Sequence, residues 1–152
     1  MKRPKTEFRA IRERVGITQT ELARRLHVEA RSVRRWENPA NPWEIPQDAW
    51  DVLDAALKRQ REVLDFALKK VDEIIVQHGK APDAIRLPYW LTEGDYVMWS
   101  TDADNGIDGD WHMANANNMA LALRLEERGI DVEWVDGNPA RQDAMGRGKT
   151  RV

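Results

Sequence analysis

Gly16-Ile17-Thr18-Gln19-Thr20-Glu21-Leu22-Ala23, followed at fixed spacing by Leu26, Val28 and Val33-Arg34-Arg35-Trp36-Glu37, is the stretch on which the fold turns. Thr18 and Glu21 stand three apart ahead of a stripe of Leu22, Ala23 and Leu26. At that spacing a Thr N-cap and a Glu can satisfy each other's backbone amides, so a short helix starts here. Upstream, Phe8, Ile11 and Val15 recur at spacings of three and four, the period of one helical face, and Gly16 supplies a stop. Downstream, His27-Val28-Glu29 makes a tight connection into a third short segment, Ala30 to Glu37, with Val33 and Trp36 as its apolar side.

Working outward, Pro39, Pro42 and Pro46 exclude regular helix between residues 38 and 46 and predict a loop. From Gln47 to about His78 the sequence is helical again. Trp50, Leu53, Leu57, Leu64, Leu68, Val71 and Ile75 keep an approximate heptad rhythm, interrupted only at Gln60 or Arg61. One long helix and two consecutive helices broken near Lys58–Arg61 fit this pattern equally. Beyond Gly79 and Pro82 the spacing predicts strands at Ile85–Trp90 and Tyr96–Ser100, a polar turn over 101–110, a helix from Trp111 to Arg128 and a last strand at Ile130–Val135. Residues 136–152 lack apolar content and read as a flexible tail carrying Arg141, Arg147, Lys149 and Arg151. The expected fold class is α+β: an N-terminal all-α bundle (1–57), a connecting helix (58–80), a small α/β domain for dimerisation or partner binding (81–136) and a basic tail (137–152).

The 152 residues carry 24 basic and 26 acidic side chains, a near balance that hides a segregation. Residues 1–37 hold eleven bases and five acids, whereas residues 81–140 hold three bases and twelve acids. A basic module fused to an acidic body points to an anion-binding part attached to something with a different task. No apolar run approaches the ~20 residues of a membrane span. With no cysteine there is no disulfide scaffold, zinc ribbon or thiol nucleophile, and Lys2-Arg3-Pro4-Lys5 has no apolar signal region behind it, so a cytoplasmic protein is expected.

Three short helices with a tight turn between the second and third describe a helix-turn-helix. At ~100° per residue, Val33 and Trp36 point one way along the third helix while Arg31, Arg34 and Arg35 cluster on the opposite side. Arg donates bidentately to guanine O6 and N7 in the major groove and also pairs with phosphate, so one such face can both read sequence and hold the backbone. Residues 6–57 closely resemble the lambda-repressor-like (Cro/XRE) helix-turn-helix family, through the stretch quoted at the outset. His27 departs from the family's usual Gly at a turn that calls for positive φ, and Glu29 departs from a usual Ser or Thr N-cap. The resemblance implies binding of double-stranded DNA at a palindromic operator by a homodimeric, autoregulating repressor of phage or bacterial genes. It places Ala30, Arg31 and Arg35 at base edges and Arg34 between bases and phosphates. Gln19 falls at a phosphate beside the start of the second helix, with Thr18, Ser32 and Asn38 completing the candidate DNA-binding set and Asn41 and Trp43 on the following loop.

The C-terminal module has a layout similar to the second domain of small two-domain phage and bacterial regulators, including some anti-CRISPR-associated repressors. It is expected to dimerise; in an antitoxin-type regulator it would bind a partner protein as well. No activated nucleophile, Gly-rich phosphate loop or ligand cluster is present, so neither an enzyme, a cofactor nor a metal is expected. The run Asp102 to Asp110 fails the spacing of a calcium loop and reads as a polar turn, and His27, His78 and His112 are too dispersed for a metal site. Trp90, Trp99, Trp111 and Trp134 read as core or interface packing before an aromatic cage.

Overall fold

The structure, a computed structural model, describes residues 2–141; the basic residues Arg147, Lys149 and Arg151 of the expected tail lie outside them. The chain is α+β and divides into two compact units, Met1–Glu62 and Val63–Val152. No helix among the described residues is long and apolar enough to cross a membrane.

In the first unit, α1 (Lys5–Val15) stops at Gly16, whose φ of 78° lets its amide and that of Ile17 close onto the last carbonyls of the helix. Helix α2 (Gln19–Leu26) starts at Thr18, whose hydroxyl accepts the Glu21 amide at 3.0 Å. The expected reciprocal cap is only half formed. The Glu21 carboxylate turns outward to Arg24 and Arg25, at 2.7 and 3.0 Å. Arg24 first and Arg25 second hold its pKa down to about 2. His27 ends α2 in the left-handed region, φ 56°, and so occupies the conformation for which a glycine is the ordinary choice. Helix α3 (Ala30–Glu37) follows, then the loop 38–46 and the start of α4 (Gln47–His78).

This unit is held by a core of Phe8, Val15, Ile17, Leu22, Val33, Trp36, Trp50 and Leu53. The Phe8 ring meets Trp36 and Trp50 edge-on, with centroids 6.5 and 5.1 Å away, so α1 is clamped between α3 and α4. Helix α4 is one unbroken element, and the polar interruption at Gln60 is the reason it looks divisible in the sequence. Gln60 is buried and donates from Nε2 to the Arg14 carbonyl at 2.9 Å, while its Oε1 has no partner among the described residues, so a half-satisfied polar residue stands at a heptad apolar position of a continuous helix.

In the second unit, Leu64, Leu68 and Val71 of α4 join Leu121, Ala122 and Leu125 of α6 (Trp111–Glu127), Leu87 of β1 (Ala84–Tyr89) and Ile130 in one cluster. The heptad stripe of α4 is thereby divided between two intrachain cores. Strand β2 (Asp131–Asp136) runs parallel to β1 with Ala84 opposite Asp131 and Tyr89 opposite Asp136. Asn115 of α6, buried, accepts from the Trp90 amide at 2.8 Å and donates to the Trp90 carbonyl at 2.9 Å, standing in for a strand where β1 ends. Trp90, Trp134 and Trp111 have separate ring partners, Tyr96, Tyr89 and His112. The segment 101–110 is the polar turn expected, with a short 3₁₀ turn at Ala103–Asn105.

The strand expected at Tyr96–Ser100 is instead a helix, α5 (Glu93–Trp99). Its aromatic and branched residues favour strand, but Thr92 caps the Asp95 amide at 3.1 Å, and Glu93 and Asp95 place negative charge in the first turn, where the helix dipole favours it. Residues 137–141, expected as the start of the tail, are tied down: Gly137 donates to the Tyr89 carbonyl, and Arg141 pairs with Asp136 at 2.7 Å and with Asp95.

Candidate nucleic-acid interface

The candidate face is built on α3. Val33 is fully buried and Trp36 nearly so, and this fixes the rotation of the helix about its axis. Arg31, Arg34 and Arg35 are then left exposed together, as the angular argument requires. Ala30 and Ser32 are half-buried beside them. Of the three arginines, Arg34 and Arg35 have no acidic partner among the described residues. Arg31 is engaged: its Nε lies 2.5 Å from Glu29, the residue ahead of α3. Glu29 makes no side-chain cap, so α3 begins with its amides uncapped by a side chain and with a carboxylate held beside Arg31. Arg35 stands over the exposed indole of Trp43, 5.5 Å from guanidinium carbon to ring centroid.

Gln19 and Asn38 sit at the edges of this face, and Thr18 beside Gln19 spends its hydroxyl on the α2 cap. Gln19 donates from Nε2 to Glu37 at 3.2 Å, so its amide is oriented from α3 rather than free. Asn38 is exposed, and its side-chain oxygen accepts the Ala40 amide, giving the loop its first turn.

Glu37 is the residue that sequence reasoning missed. It accepts from Arg12 at 2.5 Å (Nε) and 2.8 Å (Nη2), and Arg12 also donates to the Ile17 carbonyl at 3.1 Å. The Arg12 and Glu37 side chains are 10% and 4% exposed, so this is an interior ion pair joining α1 to the end of α3. Its signal was present in the sequence: Arg12 falls four residues after Phe8 and three before Val15, on the buried face of α1, where an unpaired charge is untenable. Lys5 was also missed. Its ammonium donates to the carbonyl of Trp36, in the last turn of α3, and to that of Trp43 at 3.2 Å, a cation where helix carbonyls lack partners.

Much of the positive charge of the first unit is already spent. Arg3 pairs with Glu7 and Asp54, Arg9 with Glu13, Arg12 with Glu37, and Arg24 and Arg25 with Glu21. On α3, Arg34 and Arg35 have no acidic partner among the described residues, while Arg31 shares its charge with Glu29.

Residues 8–39 match the helix-turn-helix family model. The match takes in most of α1 and all of α2 and α3, which together form the helix-turn-helix of the N-terminal unit. The chain is also similar to a 2-succinyl-5-enolpyruvyl-6-hydroxy-3-cyclohexene-1-carboxylate synthase of Leuconostoc mesenteroides, 31% identical over 72 residues; the match covers 41% of this chain and 13% of that protein's length.

The odd start of α3 has a measurable consequence. Glu29→Ser should stabilise the protein by about 1 kcal/mol by supplying a cap. It should also tighten binding to any DNA duplex, because it removes a carboxylate near the phosphates and releases Arg31. Thermal unfolding and binding to random-sequence DNA check the two effects, and weaker binding to random DNA would show that Glu29 does not oppose the duplex.

Proposed function

We propose that this protein is a homodimeric transcriptional repressor that reads a palindromic operator with α3 in the major groove. The observation that carries this reading is the shared exposed face of Arg31, Arg34 and Arg35 on a helix whose opposite side is locked into the core by Val33 and Trp36. Arg31 and Arg35 contact base edges, with Ala30 and Ser32 close to them. Arg34 and Gln19 hold phosphates, and Thr18 and Asn38 present the ends of α2 and α3 to the backbone. An all-binding site of this kind calls for no cofactor or metal.

The second unit supplies dimerisation. Helix α5 buries none of its residues, yet carries Val97 and Met98, 76% and 74% exposed, with Leu91 and Trp99 nearby also exposed. Four large apolar groups on one short segment mark an interaction surface. Its acidic surroundings would keep this module off DNA and leave the duplex to the basic first unit. The same surface supports an antitoxin-type reading in which α5 seats a different protein.

Light scattering of the full chain at micromolar concentration should give twice the 17.6 kDa of one chain. A selected operator should contain two half-sites about 34–36 Å apart, and an isolated half-site should bind far more weakly. A monomer with equal affinity for half and whole sites would contradict the homodimer, and a second chain that co-purifies at one to one would favour the antitoxin reading.

A further inference from the structure

The loop after α3 carries a large aromatic side chain that neither the core nor the helix-turn-helix framework requires. Trp43 is 57% exposed, although indole is a side chain that proteins usually cover. The loop presents it in a defined place. Asn38 accepts the Ala40 amide at 3.0 Å, the Asn41 amide donates to the Asn38 carbonyl at 3.0 Å, and Asn41 accepts the Trp43 amide at 2.9 Å. The Lys5 ammonium then ties the Trp43 carbonyl to that of Trp36. Chained in this way to the end of α3, the indole lies beside Arg35, whose guanidinium stands 5.5 Å from the ring centroid, within cation–π range.

We propose that Trp43 is a positioning residue for base reading: it holds the Arg35 guanidinium over its ring so that the arginine's donors meet the base pair already oriented. This rests on Arg35 reading a base. An exposed arginine spreads over many rotamers and gives up that freedom when it forms a two-point contact. An aromatic ring beside the guanidinium removes part of that freedom in advance without consuming a hydrogen-bond donor, so a two-point contact stays available. Trp43 therefore contributes to discrimination at one base pair without touching it. A contact to sugar or phosphate by the same ring would act on every sequence alike.

The test uses the full-length protein, its selected operator, and the same operator with only the Arg35-dependent base pair exchanged. Arg35→Ala identifies that pair as the one whose preference collapses. Trp43→Ala should weaken binding to the selected operator about two- to fivefold and leave the exchanged operator unaffected. Trp43→Phe, which keeps a π face, should restore most of the loss, and Trp43→Leu, which keeps bulk without one, should not. Added to Arg35→Ala, Trp43→Ala should have no further effect. Equal losses on both operators, additivity with Arg35→Ala, or full rescue by Leu would each overturn the positioning role. Should Arg35→Ala leave every base preference intact, the base-reading role of Arg35 falls first and the proposal falls with it, an outcome distinct from the other three. The Phe and Leu variants both keep a sizeable apolar side chain at the position and differ chiefly in the π face, so their comparison stands even if the Ala variant disturbs the loop.

Discussion

Glu37→Ala is expected to cost about 3–5 kcal/mol of folding stability, the usual penalty for leaving one member of an interior ion pair without its partner. Arg12 would keep only the Ile17 carbonyl, at 3.1 Å, and its charge would stay in a site that water scarcely reaches. Arg12→Met combined with Glu37→Leu should recover most of that loss, because apolar groups of similar volume remove the desolvation cost of both ions. Urea unfolding of the three proteins, followed by circular dichroism, measures both differences. The double variant should nevertheless bind DNA less well than its stability suggests, since Gln19 loses the carboxylate that orients its amide at 3.2 Å. Full stability in Glu37→Ala alone would mean that the pair is open to water and structurally idle.

The second large effect concerns recognition. Arg31→Ala and Arg35→Ala should each cost roughly 1–3 kcal/mol on the selected operator and far less on random DNA, because a two-point guanine contact matters only where the guanine is present. Gln19→Ala should weaken both DNAs alike with little change in salt slope, since a neutral side chain releases no counterion. Arg34→Ala should make the slope shallower by about one unit, as expected for a phosphate contact. Binding of each variant to operator and scrambled duplex over a salt series separates these behaviours. Equal losses on both DNAs for Arg31 and Arg35 would reduce them to anchors of the protein on the backbone.

Legibility in the sequence followed the range of the interaction concerned. Helices α1 to α3 were readable because their determinants are local: the spacing of Phe8, Ile11 and Val15, the Thr18 cap, and the Gly16 and His27 stops in the left-handed region. The arginine face of α3 followed from helical angles alone. The run Tyr96–Ser100 favours strand by residue type, but the short-range cap of Thr92 on the Asp95 amide decides for helix α5. The pairing of β1 with β2 was not readable, since 41 residues separate their ends and two helices intervene. Nor were the contacts that hold α3 in place. Arg12 with Glu37, Lys5 with Trp36 and Glu37 with Gln19 meet only once the helices pack, and no local pattern announces which acid a buried base will find.

Selection of duplexes from a random DNA pool by the full-length protein and by its Arg35→Ala variant decides whether α3 reads sequence. The native chain should enrich one palindromic motif with a guanine in each half-site, and the variant should lose preference at that guanine alone. A native chain that enriches no motif, or a variant that enriches the identical motif with identical preference at every position, would contradict reading of DNA by the arginine face of α3.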